Sequence, residues 1–254
     1  MVNYIDMITS TRARDEQARK LRAEHILDVA SDLLLRIGYS RITIDDISRH
    51  AGVGKGTVYL HWATREELFY SVIMREQLGA VEEQIAALRR DPREVQLHRL
   101  VRWKYLTTMR RPILKAVFMA DPDIVGKLAR QSGGADLVKL MGGISTDYLN
   151  VLIEHGLSRA DMPVEDLLYQ MGAMTIGFFT SDDFLSAFGW SPEFERKADL
   201  LEDAIARCFS VPGTEETLTA ALPRVIELFE KSRELCISFL SRAYAARPSQ
   251  TGED

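Results

Sequence analysis

The residues with the clearest chemical character lie in one short segment, residues 51–62, whose sequence is AGVGKGTVYLHW. Lys55 stands between Gly54 and Gly56, an arrangement in which a cation and open backbone N–H groups can hold phosphate oxygens. Two kinds of ligand present such oxygens: a nucleoside triphosphate and the backbone of DNA. The residues around Lys55 distinguish between these ligands.

A nucleotide-binding phosphate loop requires the pattern G-x-x-x-x-G-K-[ST] between a buried strand and a helix. When Gly54 and Lys55 are aligned with the G-K pair, Arg49 occupies the position of the first glycine. Gly56 then replaces the hydroxyl residue that would bind Mg²⁺, and residues 41–50 have helical rather than strand character. The sequence therefore argues against a nucleotide-binding loop.

The same segment fits a helix-turn-helix, in which two helices cross steeply through a short turn that contains glycine. Gly52 allows the chain to reverse, and Val53 is expected to fill the core that the two helices share. Gly54 then opens a second helix over about 55–62 with free N–H groups, and a helix start of this kind favours anions.

On this second helix, Val58 and Trp62 are four residues apart and are expected to face inward, with Leu60 packed nearby. The side chains expected to point outward or along the edges suit phosphates and base edges of a duplex, and they are Lys55, Thr57, Tyr59 and His61. Further phosphate partners are expected at and beside the caps of the flanking helices: Thr43, Thr64 and Arg65. Two alternatives stay open, Tyr59 as a core aromatic and His61 as an ordinary surface residue.

These residues require a set of helices to position them. Residues 1–21 are polar and charged and are expected to form a mobile basic arm, most simply a solvated tail and alternatively an arm that reaches the minor groove. Helices are expected over about 22–37, 44–50 and 55–62, and a Thr64–Glu67 capping box starts a fourth. Residues 22–66 are therefore assigned to a DNA-binding head with a helix-turn-helix.

The rest of the chain predicts a larger helical body over residues 67–246, followed by a disordered tail over 247–254. Strand signals are scarce and apolar residues recur at spacings of three and four, so the predicted fold class is all-α. After the connecting helix, the body helices are expected near 94–109, 111–119, 122–131, 135–155, 164–181, 193–209 and 214–246. Pro223 is expected to kink or split the last of these helices.

Charge and cysteine content place further bounds on function. The net charge is −5, but residues 1–65 carry +2 and the remainder −7, so a slightly basic head accompanies an acidic body. Cys208 and Cys236 lie in apolar helical surroundings and are expected to be buried, reduced thiols, with a disulfide as the open alternative. Because no segment has the length of a signal peptide's apolar core or of a membrane helix, a cytoplasmic location without membrane contact is expected.

Residues 22–74 closely resemble the DNA-binding head of tetracycline-repressor (TetR) family regulators. The positions that carry the resemblance are Ile26-Leu27, Gly38-Tyr39, Thr43-Ile44, Ile47-Ser48, Ala51-Gly52-Val53-Gly54, Gly56-Thr57-Val58-Tyr59, His61-Trp62 and Arg65-Glu66-Glu67-Leu68. The resemblance implies DNA contacts from Thr43, Lys55, Thr57, Tyr59, His61 and Arg65. Gly54 stands where the family often has serine, which removes a hydroxyl cap, and Trp62 stands where phenylalanine is usual.

The resemblance also implies a homodimer that binds palindromic operator DNA, joined through the last two core helices of each body. The best candidates are helices 164–181 and 193–209. On the second, the apolar stripe suited to a partner helix is Ala198, Leu201, Ile205 and Phe209. On the first, Gly172 and Gly177 would allow close approach. An internal core role for either helix is the open alternative.

A small, largely hydrophobic effector is expected to bind in the body and to release the DNA. The candidate pocket residues are Arg102, Trp103, Met109, Phe118, Met141, Tyr148, Gln170 and Phe178. No catalytic constellation, metal site or cofactor is expected, so the predicted function is a ligand-responsive regulator, most simply a repressor. The alternatives are a DNA-binding dimer controlled by a protein partner or acting as an activator, and an enzyme with an accessory helix-turn-helix.

Overall fold

The chain folds into helices joined by short turns. A computed structural model describes residues 4–119 and 134–244, and within them eleven α-helices follow one another without an extended strand. They are α1 Tyr4–Ile37, α2 Ile44–His50, α3 Lys55–His61, α4 Arg65–Arg90, α5 Leu97–Arg110, α6 Pro112–Met119, α7 Gly134–Glu154, α8 Val164–Thr180, α9 Asp182–Ser186, α10 Phe194–Phe209 and α11 Glu215–Tyr244. The predicted all-α fold class is confirmed.

The contacts divide the chain into two compact units. The head unit contains Met1–Gln77 together with the chain from Leu235 onward, and the body unit contains Leu78–Glu234. The sequence analysis placed the boundary at residue 66 and assigned the whole last helix to the body. The structure differs because the last ten described residues of α11 pack with the head, a long-range contact that local sequence patterns do not report.

The head unit is organised by turn chemistry that the sequence already shows. Thr43 caps α2, since its hydroxyl accepts a hydrogen bond from the backbone N–H of Asp46 at 3.2 Å, and the Asp46 carboxylate accepts one from the Thr43 N–H at 3.0 Å. Gly52 adopts φ +65°, the left-handed conformation that lets the chain reverse between α2 and α3. Thr64 accepts the N–H of Glu67 at 3.1 Å and so starts α4.

The first helix is longer than the sequence analysis expected. It begins at Tyr4 rather than near residue 22, so residues 4–21 continue α1 instead of preceding it. Residues 4–21 contain neither glycine nor proline, and most of them are good helix formers, so nothing in this stretch ends a helix. Their polar composition was mistaken for an irregular arm.

The body unit is built around α5 and α10, whose apolar faces pack against each other. Tyr105 of α5 is 1% exposed, and its ring stacks on Phe179 with centroids 4.9 Å apart. Tyr148 of α7 donates its hydroxyl to the carbonyl of Val95 at 2.8 Å, which satisfies the polar end of a buried ring. The predicted body helices agree with these elements to within a few residues, and the helix predicted over 122–131 lies outside the described residues.

The structure corrects part of one local prediction in the body and part of another. Helix α11 continues through Pro223 without splitting, although proline cannot donate the usual backbone hydrogen bond there, and a kink at Pro223 stays a prediction. Cys208 is exposed rather than buried, because it lies on the outer side of α10; Cys236 is buried as expected, and both thiols are free. None of the described helices combines the length and the apolar character that crossing a membrane requires.

Candidate nucleic-acid interface

Helix α3 is fixed to the head by its inner face. Val58 is fully buried and Trp62, which follows the last turn, is 2% exposed. The indole N–H of Trp62 donates to the hydroxyl of Ser71 on α4 at 2.8 Å, so the large ring is buried with its polar atom satisfied. The inward positions of Val58 and Trp62 agree with the sequence analysis, and they determine which side of α3 is left to solvent.

The outer side of α3 presents cationic and hydroxyl groups. Lys55 and Tyr59 are exposed, and Thr57 is half-buried beside them. Gly54, at the start of the helix, leaves the backbone open to solvent because no side chain covers it. Leu60 is 52% exposed, so the expectation that it packs inward is wrong; its position, two residues after Val58, lies off the buried stripe.

Two exposed threonines flank α3, one at each neighbouring helix start. Thr43 caps α2 and Thr64 caps α4, and each hydroxyl therefore lies beside the first N–H groups of a helix. Such helix starts attract anions because their N–H groups and the helix dipole both carry partial positive charge. The two caps and the outer side of α3 are exposed, and they offer the polar side chains that contacts with a DNA backbone require.

In the free protein, acidic side chains form ion pairs with the basic side chains of this surface. The ammonium group of Lys55 is 2.5 Å from the Asp45 carboxylate, and both side chains are more than half exposed. Hydrogen bonds from Thr43 lower the pKa of the Asp46 carboxyl, and the nearby charge of Arg49 acts in the same direction. Because exposed ion pairs of this kind are weak, Lys55 can exchange Asp45 for a phosphate at little cost.

His61 does not face outward. Its side chain is 3% exposed, and its Nδ1–H donates to the backbone carbonyl of Ala243 at 3.0 Å, because a carbonyl oxygen can only accept. The expected outward position was wrong because His61 lies three residues after Val58 and shares the buried side of α3. That spacing was the sequence signal for burial.

Arg65 is held within the head. Its guanidinium donates to the carbonyl of Ile42 at 2.8 Å and lies 4.2 Å from the ring centroid of Tyr39. About a quarter of the side chain remains exposed, at 24%. The structure therefore gives Arg65 a bracing role between the start of α4 and the turn before α2, and its contact with a phosphate stays a prediction.

The predicted effector-pocket residues do not converge on one cavity within the described residues. Arg102 pairs with Asp199 at 2.9 Å and with Glu202 at 3.1 Å on α10, so its guanidinium is already occupied. The others with described side chains are scattered between core and surface: Trp103 and Met109 are partly buried, Tyr148 is buried against Val95, and Gln170 is exposed. The side chains of Phe118 and Met141 lie outside the described residues.

Phe178 lines a surface cavity of about 590 Å³ at the end of α8. Its other walls include Leu185, Trp190 and Leu200, with the ion pair Asp182–Lys197 at 2.6 Å along one side. The cavity was not foreseen, because the short α9 that shapes it has only five residues and no detectable periodicity.

Gln84 was missed by the sequence analysis. Its side chain is fully buried on α4, and neither its amide oxygen nor its amide nitrogen has a hydrogen-bond partner among the described residues. An unpaired buried amide is costly, so Gln84 marks a position whose polar atoms the described contacts leave unsatisfied. The sequence signal is a polar residue within the apolar stripe that contains Val81, Ile85 and Leu88.

An exposed apolar surface follows α8 and the turn after it. It consists of Tyr169, Ile176, Phe184, Phe188 and Trp190, each more than half exposed, and is called the apolar face below. The apolar stripe of α10, in contrast, is not exposed. Its residues are buried within the body, and they are Ala198, Leu201, Ile205 and Phe209. That prediction was wrong because an amphipathic pattern shows that a helix face is covered, not which element covers it.

Residues 26–72 match the family model of bacterial regulatory proteins, tetR family. The chain is 30% identical to the HTH-type transcriptional regulator AcrR of Shigella flexneri over 125 residues, which are 46% of this chain and 57% of AcrR. The match thus covers less than two thirds of that relative.

Solved structures share the fold at low sequence identity. The fatty acid degradation regulator FadR from Bacillus halodurans aligns with a TM-score of 0.54 at 16% identity, covering 72% of this chain and 94% of that one. SmeT, in its complex with triclosan, aligns with a TM-score of 0.52 at 18% identity, covering 76% of this chain and 96% of that one. At these identities the likeness concerns the fold.

The burial of His61 predicts a pH-dependent stability. Burial lowers the pKa of His61, and the charges of Arg22 and Arg19 act in the same direction, whereas the hydrogen bond to Ala243 opposes them. The unfolded chain therefore takes up this proton first, so the stabilisation is complete above about pH 6.5 and declines as the pH falls below it. The urea midpoint should fall further between about pH 7.5 and 5.5 in the wild type than in His61→Asn, which cannot titrate there. An equal fall in both proteins would contradict the assignment.

Proposed function

We propose that the chain is a transcriptional regulator of the TetR family that binds operator DNA through α3, because residues 26–72 match that family's model and the chain is similar to the regulator AcrR. The observation that carries the proposal is the division of α3 into a buried side and an open side. Val58 and Trp62 anchor the helix, and Lys55 and Tyr59 are left in solvent. Its regulator-named relatives favour this function over an enzyme with an accessory head.

The proposed binding mode places α3 in the major groove. Lys55 and Thr57 near its start supply a cation and a hydroxyl for base edges, and Tyr59 reaches a phosphate with its exposed hydroxyl. The caps of the flanking helices, Thr43 and Thr64, grip the backbone on either side. His61 is left out of this set because its ring is already hydrogen-bonded inside the head.

We further propose that two copies bind one palindromic operator. A helix of seven residues offers few base contacts, whereas two copies set about 34–36 Å apart read both halves of a palindrome. The apolar face supports association, since exposed apolar side chains that touch one another, as the rings of Phe184, Phe188 and Trp190 do, mark interaction surfaces. Its Tyr169 and Ile176 lie seven residues apart and therefore on the same side of α8, the helix that the family resemblance favours.

Control by a small molecule is the last part of the proposal. The buried, unpaired amide of Gln84 supports an effector that carries a hydrogen-bonding group on an otherwise apolar body. Binding that stabilises one conformation of the body by about 1–3 kcal/mol would lower operator affinity some 5- to 150-fold. Repression relieved by the effector is the simplest outcome, and the proposed location is the cytoplasm, where bacterial DNA lies.

Removing the charge of Lys55 tests the DNA contact. Lys55→Ala should reduce the slope of log affinity against log salt by about one per subunit and weaken binding about tenfold near 50 mM salt. The affinity would be measured by fluorescence anisotropy on a duplex selected from random sequences. Lys231→Ala, which removes the same charge from the body unit, is the control and should keep the wild-type slope. Equal slopes for all three proteins would remove Lys55 from the interface.

A charge in the apolar face tests the dimer. Ile176 is 58% exposed in the single chain, so Ile176→Asp should leave folding intact and convert the dimer to a monomer. Sedimentation equilibrium gives the mass, and Ile237→Asp, at an apolar position 43% exposed on α11, is the matched control that should remain dimeric. A dimeric Ile176→Asp would show that the copies associate elsewhere.

Replacing the buried amide tests the effector site. Gln84→Met keeps the side-chain length but removes both unpaired polar atoms, so the ligand-free protein should gain about 1–3 kcal/mol in free energy of unfolding. Compounds that release wild-type protein from DNA should lose potency on this variant. Gln77→Met, at a partly exposed position of α4, should change stability by less than about 0.5 kcal/mol. A destabilised Gln84→Met would mean that the amide is already satisfied without a ligand.

A further inference from the structure

The end of the last helix packs with the head. Residues 235–244, called the terminal segment here, bury Cys236, Leu240 and Ala243 to 5% exposure or less. Those three positions follow the i, i+4, i+7 spacing of one helix face. Phe239 adds a ring contact with Tyr70 of α4, with centroids 4.8 Å apart. Burial raises the pKa of the Cys236 thiol to about 11, in keeping with an apolar setting.

Helix α3 provides a cap for the end of the terminal segment. The last four carbonyls of an α-helix lack partners within the helix, and Ala243 is the second-to-last residue of α11. Its carbonyl accepts the Nδ1–H of His61, the last residue of α3, at 3.0 Å. Both groups are buried, so separating them would leave two polar atoms without partners away from water.

Helix α1 holds the terminal segment from a second direction. The hydroxyl of Tyr244 donates to Glu24, whose other carboxylate oxygen accepts from Arg75 of α4 at 3.1 Å. The ammonium group of Lys20 lies 5.8 Å from the centre of the Tyr244 ring. A cation near the carbonyl end of a helix is favourable because that end carries partial negative charge.

From these contacts we propose that the terminal segment is a structural element of the DNA-binding head, and that His61 is a positioning residue that holds α3 against it. The inference rests on the proposed function, because it concerns how α3 is presented to DNA. A seven-residue helix cannot maintain its own position, since helices of that length are unstable in isolation. Val58 and Trp62 fix its middle and the residue after it, and the bond to Ala243 adds a tie at its last residue.

A direct DNA contact by His61 is the competing assignment. The ring would then have to turn outward and leave the Ala243 carbonyl buried and unpaired. The two assignments differ in a measurable way, because a positioning residue acts on the free protein whereas a phosphate contact acts only in the complex.

The test compares His61→Ala with His61→Asn in the full chain, with Thr57→Ala as a variant of a proposed direct contact. Hydrogen exchange is measured without DNA on peptides from α3 and from the terminal segment, and affinity is measured on the selected duplex across salt concentrations. In His61→Ala both regions should exchange faster, and affinity should fall about tenfold with an unchanged salt slope. His61→Asn retains a side-chain N–H donor at that distance and should return affinity to within about threefold of the wild type.

Thr57→Ala should weaken DNA binding without altering exchange in the free protein. The proposal is overturned if His61→Ala leaves exchange of the terminal segment unchanged, or if His61→Asn is as defective as His61→Ala in both measurements. A wild-type protein that selects no duplex would refute the proposed function, whereas the exchange data without DNA would still decide whether His61 ties α3 to the terminal segment. A second variant, Tyr244→Phe, removes only the bond to Glu24 and should speed exchange of the terminal segment more than that of α3.

Discussion

The burial of Val58 and Trp62 is the constraint on which the account of this protein depends. Two apolar side chains four residues apart fix one side of a seven-residue helix to the head, and the Trp62–Ser71 hydrogen bond removes the cost of burying the indole N–H. Once that side is fixed, the opposite side must carry Lys55 and Tyr59 into solvent. The proposed binding surface is thus a consequence of packing, and its chemistry can vary while the anchors remain.

The turns and helix starts of the head are determined by local interactions that can be recognised in the sequence. Threonine caps start α2 and α4, and a left-handed glycine reverses the chain before α3. Each device acts within a few residues, so each could be predicted without knowledge of the fold. The bounds of the long body helices were predictable for the same reason, because prolines and glycines separate long periodic segments, whereas the five-residue α9 has too few residues to show a period.

The sequence alone does not show which residues far apart in the chain contact each other. His61 and Ala243 are 182 positions apart, and nothing near His61 indicates that a helix end will need its N–H. The stripe on α10 was correctly recognised as apolar, but periodicity alone cannot tell a partner subunit from α5 of the same chain. Gln84 shows the converse case, in which one polar residue interrupts an apolar stripe and the structure shows that it is buried without a partner among the described residues.

The negative net charge of the chain is not distributed evenly along the sequence. The first 65 residues carry a small positive charge, whereas residues 1–77 and 235–254 together are neutral and the excess of acid lies in the body unit. In the free protein, ion pairs such as Lys55–Asp45 keep the basic groups of the surface partnered, and in the proposed complex phosphates replace the carboxylates. Under the proposed binding mode, specificity comes from a few base contacts, each presented twice by a pair of subunits.

Chemical interference mapping on the selected duplex tests this central claim most directly. Methylation of guanine N7 blocks contacts in the major groove, so the account predicts two symmetric clusters of interfering positions whose centres are one helical turn, or a multiple of it, apart. Interference only from methylation of adenine N3, which lies in the minor groove, or a single cluster bound by one chain, would contradict the presentation of α3 to paired major-groove sites.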